Sequence, residues 1–187
     1  PGATVWVQDY QLQLVPQLLR DLRPDLRIGW FNHIPFPPVE LFAQLPWRRH
    51  ILRGLLGADF LGFQRADDAA NFRRSAARLA GVTLEGEVLT LAEEDGRQVR
   101  TAAVPISVDS QQLDRMARTE AVRERAAELR ASLGNPRTLV LGIDRLDYTK
   151  GIRHRLKAYG ELLDEGKVAP PQTAFVQIAT PSRERVE

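Results

Sequence analysis

The densest group of chemically capable side chains is Asp144-Arg145-Leu146-Asp147-Tyr148-Thr149-Lys150-Gly151. It follows the apolar run Thr138 to Ile143 and feeds a helix-period stretch that begins at Ile152. Backbone N–H groups and the positive end of that helix would therefore face whatever binds there. Arg145 offers a planar fork of donors, and Lys150 adds a point charge five residues on, a pairing suited to a diphosphate. No Asp-x-Asp triplet occurs to hold a divalent metal on such a group, so protein cations would do the neutralising. The plainer arrangement of the same residues is an Arg145–Asp147 ion pair beside a solvated Lys150. Chemistry alone leaves both open.

Three further polar residues stand just after apolar runs. Asp9 follows Ala3 to Gln8. His33 follows Leu26 to Phe31 and precedes the rigid loop Ile34-Pro35-Phe36-Pro37-Pro38. Arg183 follows Thr173 to Ile178 and Ala179-Thr180-Pro181-Ser182, where a helix would begin and an anion could bind. Each has an ordinary structural reading as well. Asp9 could cap the next helix, although neither Glu nor Gln stands at position 12 to complete a capping box. His33 could be a hydrogen-bonded structural residue, and Arg183 a solvent-facing one. His50 and His154 lie among arginines on helical stretches, and nothing gives them a role.

The elements that must carry these residues alternate. Helical periodicity runs from Gln11 to Leu22, with Pro16 predicting a kink or a late start. Helices are predicted at Arg48 to Leu56, Asp67 to Leu79 and Ile152 to Leu163, and a long amphipathic one at Asp109 to Leu133, stopped by Gly134-Asn135-Pro136. Phe60 to Phe63 reads as a short strand. Between Val82 and Val104 the rhythm changes, and Asp95-Gly96 between two strand-like runs predicts a hairpin. Strands separated by helices of ten or more residues make parallel βαβ units, whose ligands sit beyond the strands' carboxyl ends. Asp9, His33, the Asp144–Lys150 stretch and Arg183 all fall at such places. Two blocks flank the helix from Asp109, predicting two α/β units joined near Pro105.

With 43% hydrophobic and 27% charged residues the chain is an ordinary globular one. The net charge is +2 with both signs interleaved, so nothing argues for nucleic acid. There is no cysteine to form a disulfide framework or a thiolate metal site. No apolar stretch approaches membrane-spanning length and no signal segment opens the chain, which reads as soluble and cytoplasmic. A strand that begins directly after Pro1 and a helical turn that opens at Ser182 read as an excerpt of a longer protein.

Four strings, in this order, then become informative together. They are Val7 to Leu12 (Val-Gln-Asp-Tyr-Gln-Leu), Phe31 to Pro37 (Phe-Asn-His-Ile-Pro-Phe-Pro), Gly142 to Gly151 and Gln177 to Arg183 (Gln-Ile-Ala-Thr-Pro-Ser-Arg). With Gly62-Phe63-Gln64, they closely resemble the trehalose-6-phosphate synthases of glycosyltransferase family 20, over nearly the whole chain.

The resemblance implies a GT-B-like α/β fold, two Rossmann-like parallel-sheet domains facing a cleft, both incomplete here. Residues 1–108 would be the later part of the N-terminal, acceptor-side domain, with a hairpin at about 82–104. Residues 109–187 would be a linker helix and the first part of the C-terminal, nucleotide-sugar-binding domain. It also implies retaining transfer of glucose from UDP-glucose or a similar donor to glucose 6-phosphate, giving α,α-trehalose 6-phosphate. No cofactor or metal is needed, the only partners are these small-molecule substrates, and a homo-oligomer is possible.

By the same resemblance, Arg145 and Lys150 bind the donor diphosphate, Asp9 contacts the acceptor sugar and Arg183 the acceptor phosphate. His33 stands beside the transferred glucose, with Asp9 and His33 the catalytic pair, and Ile34 helps select the α anomer. Two departures matter. The family's His-Asp-Tyr-His-Leu reads Gln8-Asp9-Tyr10-Gln11-Leu12 here, and the family's Gly-rich loop and acidic donor motif are absent from these residues, so this chain alone is expected to be inactive. A synthase with another acceptor, such as a glucosylglycerol-phosphate synthase, or a silent regulatory homologue stays open.

Overall fold

The alternation read from the sequence becomes a mixed sheet in residues up to Val108. In chain order it runs β1 (Thr4–Gln8), α1 (Val15–Leu22), β2 (Arg27–Asn32), α2 (Val39–Phe42), α3 (Arg48–Leu56), β3 (Phe60–Phe63), α4 (Ala66–Ala80), β4 (Thr83–Glu85), β5 (Val88–Leu91) and β6 (Arg97–Ala103). The computed structural model describes residues 2–181, and they divide into two units, Pro1–Val108 and Asp109–Glu187. In the first unit the sheet order is β1-β2-β3-β6-β5-β4. Strands β1, β2, β3 and β6 are parallel, while β5 and β4 are added antiparallel. The hairpin at Asp95-Gly96 joins β5 to β6, and both residues take the positive φ such a turn needs, 52° and 73°.

The central parallel strands are buried almost continuously, Ile28 to Asn32 on β2 and Leu61 to Phe63 on β3, as a parallel sheet covered on both faces requires. Ile28, Trp30, Leu61, Phe63 and Val99 lie in one core with Leu52, Leu55 and Phe72 from α3 and α4. The helix expected over 11–22 starts only at Val15, after a 3-10 turn at Tyr10–Leu12. Pro16 falls in its first turn, where a missing N–H and a fixed φ do no harm. That helix lies hard against α3. A Cβ on Gly57 would sit 2.3 Å from the Gln17 Cα, and one on Gly54 2.6 Å from the Gln13 carbonyl oxygen. Arg20 then ties α1 to the sheet, through Asp59 at 2.7 Å and the Leu26 carbonyl at 2.9 Å.

The second unit runs α5 (Ser110–Ala117), α6 (Glu120–Ser132), β7 (Thr138–Leu146), a 3-10 turn Tyr148–Lys150, α7 (Ile152–Asp164) and β8 (Thr173–Pro181). Strands β7 and β8 are parallel, in register from Thr138 opposite Thr173 to Leu146 opposite Pro181. The single helix expected over 109–133 is two helices, broken at Arg118-Thr119. The Arg118 N–H reaches back to the Asp114 and Arg115 carbonyls, and the Thr119 hydroxyl to Met116, while Thr119 itself is extended. The polar loop expected from Asp144 begins later, because β7 continues through Asp144, Arg145 and Leu146.

Candidate active site

Parallel pairing sends β1 and β2 out on the same sheet edge, with Gln8 opposite Phe31. The next residues, Asp9 and His33, therefore arrive together. The Asp9 N–H donates to the Phe31 carbonyl (2.8 Å), its carbonyl accepts from the Trp30 indole (3.1 Å), and its Oδ1 accepts from the His33 N–H (3.3 Å). The Asp9 side chain makes no helix cap, so the capping role that the sequence left open is not the one it plays. Its backbone stands at φ 67°, ψ 174°, a region that L-residues rarely enter.

The proline loop is pinned on both sides of its turn. Asn32 Nδ2 donates to the Ile34 carbonyl (2.7 Å), the Phe36 N–H donates to Asp68 Oδ1 (3.2 Å), and Asn71 Nδ2 donates to the Phe36 carbonyl (2.9 Å). Phe36 itself is buried against Phe42 and Phe72. His33 and Ile34 thus project from a fixed backbone, and both are exposed. The imidazole lies edge-on to Phe31 at 4.7 Å, and its Nε2 is 2.7 Å from Gln8 Oε1. A cavity of about 120 Å³ behind this turn is lined by Tyr10, Asn32, Ile34 and Phe36, among others. At the end of β3, Gln64 bonds both backbone groups of Ile106 (2.9 and 3.0 Å), fastening the chain that leaves β6 to the same edge.

In the second unit the carboxyl end of β7 carries Arg145, and the turn after Leu146 carries Lys150. The Asp147 carboxylate accepts from the Thr149 N–H at 2.9 Å, and Gly151 takes φ 65° to let α7 begin. Neither the Arg145 guanidinium nor the Lys150 ammonium has a side-chain hydrogen bond or ion pair with another described residue, and both are exposed. The Arg145–Asp147 ion pair that the sequence allowed is not formed.

Beneath the turn lies a network that sequence reasoning missed. Asp144 Oδ2 accepts from Arg155 (2.7 Å) and from Gln177 (3.2 Å), while Arg155 also donates to Gln177 Oε1 (2.7 Å) and to the Lys150 carbonyl (3.3 Å). The Arg155 hydrogen bond, with that of Gln177, holds the Asp144 carboxyl below the usual carboxylate range. A side chain at Gly142 would run into this network, since its Cβ would meet Gln177 Oε1 and Arg155. Its traces in the sequence were the hydrophobic run ending in Gly-Ile-Asp and the Gln177 that opens the last of the four strings. Arg183 lies outside the described residues. Among the described residues no group of His, Cys, Asp and Glu is arranged to hold a metal ion, and no helix is long and apolar enough to cross a membrane.

Polar side chains at the carboxyl ends of parallel strands in both units stand where α/β proteins bind their ligands. The family model of glycosyltransferase family 20 matches residues 1–187. The chain belongs to that family. It is 59% identical over 192 residues to a trehalose-6-phosphate synthase of Mycolicibacterium vanbaalenii, a match that covers all of this chain and 39% of that protein. Among solved structures it is similar to one from E. coli bound with UDP-2-fluoro glucose, with TM-score 0.73 and 32% identity over 98% of this chain and 40% of that one. It is also similar to an α,α-trehalose-phosphate synthase (UDP-forming) from Burkholderia xenovorans in complex with glucose-6-phosphate. There the TM-score is 0.71 and the identity 34%, over 97% of this chain and 40% of that one. The chain thus spans about two fifths of the length of the relatives it matches, and its mixed α/β architecture with parallel strands is part of the GT-B fold they share.

Proposed function

We propose that the protein containing this chain transfers glucose, with retention, from a nucleotide sugar such as UDP-glucose to glucose 6-phosphate, giving α,α-trehalose 6-phosphate. The observation that carries the reading is the pair of exposed cations, Arg145 and Lys150, at the end of β7 and the start of α7, neither of them hydrogen-bonded or ion-paired through its side chain to another described residue. As the bond from the anomeric carbon to the donor diphosphate breaks, negative charge grows on the departing oxygens, and these cations meet it. The acceptor hydroxyl attacks from the face the diphosphate leaves, and its proton passes to a diphosphate oxygen. No protein carboxylate need become covalently attached, and no metal is needed for the neutralisation. Asp9 would hold the acceptor sugar, Arg183 the acceptor phosphate, and His33 and Ile34 would stand against the transferred glucose, Ile34 favouring its α anomer. The two units would then be acceptor-side and nucleotide-sugar-side domains.

Steady-state kinetics of the full-length protein test the cation pair. Lys150→Ala is expected to lower turnover roughly 10²-fold, as loss of one donor to a developing anion does. Arg145→Lys is expected to be poor too, because an ammonium cannot reproduce a two-pronged contact. Near wild-type turnover in both variants would sink the assignment, and so would an absolute requirement for added Mg²⁺.

A further inference from the structure

Among the described residues, the imidazole of His33 is hydrogen-bonded through Nε2 alone. On a parallel pair of strands, register neighbours point to the same side. Gln8 stands opposite Phe31, so those two share one face, and His33 follows just after the end of β2. Gln8 Oε1 meets His33 Nε2 at 2.7 Å. The other freedoms of the ring are already restricted: Phe31 lies edge-on to it, Asp9 holds its backbone N–H, and Asn32 holds the next carbonyl. What remains is which nitrogen carries the proton, and among the described residues the Gln8 amide is the group hydrogen-bonded to a ring nitrogen.

We propose that Gln8 is a positioning residue for His33, its Oε1 accepting from Nε2–H and so leaving Nδ1 as the free acceptor nitrogen of a neutral imidazole. This rests on the reading of His33 as the residue beside the transferred glucose. Being neutral, the amide selects a tautomer without placing a charge next to the donor sugar. A histidine at position 8 would be an alternative acceptor for the same bond, since a neutral imidazole nitrogen also accepts a hydrogen bond.

The test uses full-length protein labelled with ¹⁵N-histidine at about pH 8, above the ordinary histidine range. His33→Asn identifies the His33 signals by their loss. Wild type is expected to show His33 protonated on Nε2. Gln8→Leu, and Gln8→Asn whose amide is one methylene too short to reach, are expected to show mixed tautomers. Both should lose roughly three- to tenfold in kcat, the worth of one hydrogen bond, with KM for both substrates held, and Gln8→His should restore both readouts. An Nδ1-protonated ring in wild type, or an unchanged tautomer in both variants, overturns the proposal. The tautomer is read without turnover, so an Nε2-protonated ring in a protein that makes no trehalose 6-phosphate would sink the proposed function and leave the Gln8 hold standing.

Discussion

At Asp9 a non-glycine residue sits at φ 67° and ψ 174°, with a backbone that costs of order 1–3 kcal/mol. It stays there because three hydrogen bonds to β2 and His33 over-determine it. Strain of that kind collects where a side chain must point at something, and here it aims a carboxylate off the sheet edge. The expected signature is an inverted substitution order. Glycine is ordinarily the less stable of the two small residues by about 0.5–1 kcal/mol in regular structure. Asp9→Gly is nevertheless expected to be more stable than Asp9→Ala by about 1–3 kcal/mol, since only alanine keeps the Cβ that this φ disfavours. Urea unfolding of the two variants side by side measures it, and an alanine variant as stable as the glycine one would remove the strain from the account. The sequence placed Asp9 and His33 at strand ends. It could not show the strain or the Gln8 contact, because both arise where β1 and β2 lie side by side, a pairing between segments some twenty residues apart that neither string states by itself.

The network Asp144-Arg155-Gln177 spans β7, α7 and β8 and grips the Lys150 carbonyl from below. Its role belongs to the elements: it fixes the turn that carries Lys150, directly after the strand that carries Arg145. Arg155→Leu is expected to free the turn, raising amide exchange at Thr149, Lys150 and Gly151 about tenfold, as loss of one charge-assisted bond would. Unchanged exchange would mean that backbone geometry alone holds the turn. The carboxyl of Asp144 is held low by Arg155 and Gln177. Its contribution is therefore present above the unfolded value of about 3.8 and is lost as pH falls through the lower folded value, well below any assay pH. Most elements were legible from period and punctuation, α3 and β3 to the residue. Three failures have physical reasons. The break at Arg118-Thr119 contains neither Gly nor Pro to announce it. The strand β4 and the helix α2 are three and four residues long, too short to show a period. And β7 runs on through charged Asp144 and Arg145, because the parallel ladder to β8 continues to Leu146–Pro181 whatever the side chains are.

Over the whole chain, burial is uneven. Every buried hydrophobic side chain of the described core belongs to the first unit, whereas on β7 Leu141 is 56% and Ile143 67% exposed. A run such as Thr-Leu-Val-Leu-Gly-Ile is one that parallel sheets bury on both faces. The relatives this chain matches are about two and a half times as long. The activity proposed therefore belongs to the full-length protein, and the 187-residue chain by itself serves as the blank. The most direct measurement incubates the full-length protein with UDP-glucose and glucose 6-phosphate and follows the products by NMR. The account predicts one UDP released for each α,α-linked trehalose 6-phosphate formed, with the donor's α configuration kept, and no transfer by the 187-residue chain. A product with inverted configuration, transfer to an acceptor other than glucose 6-phosphate, or no transfer by the full-length protein would contradict it.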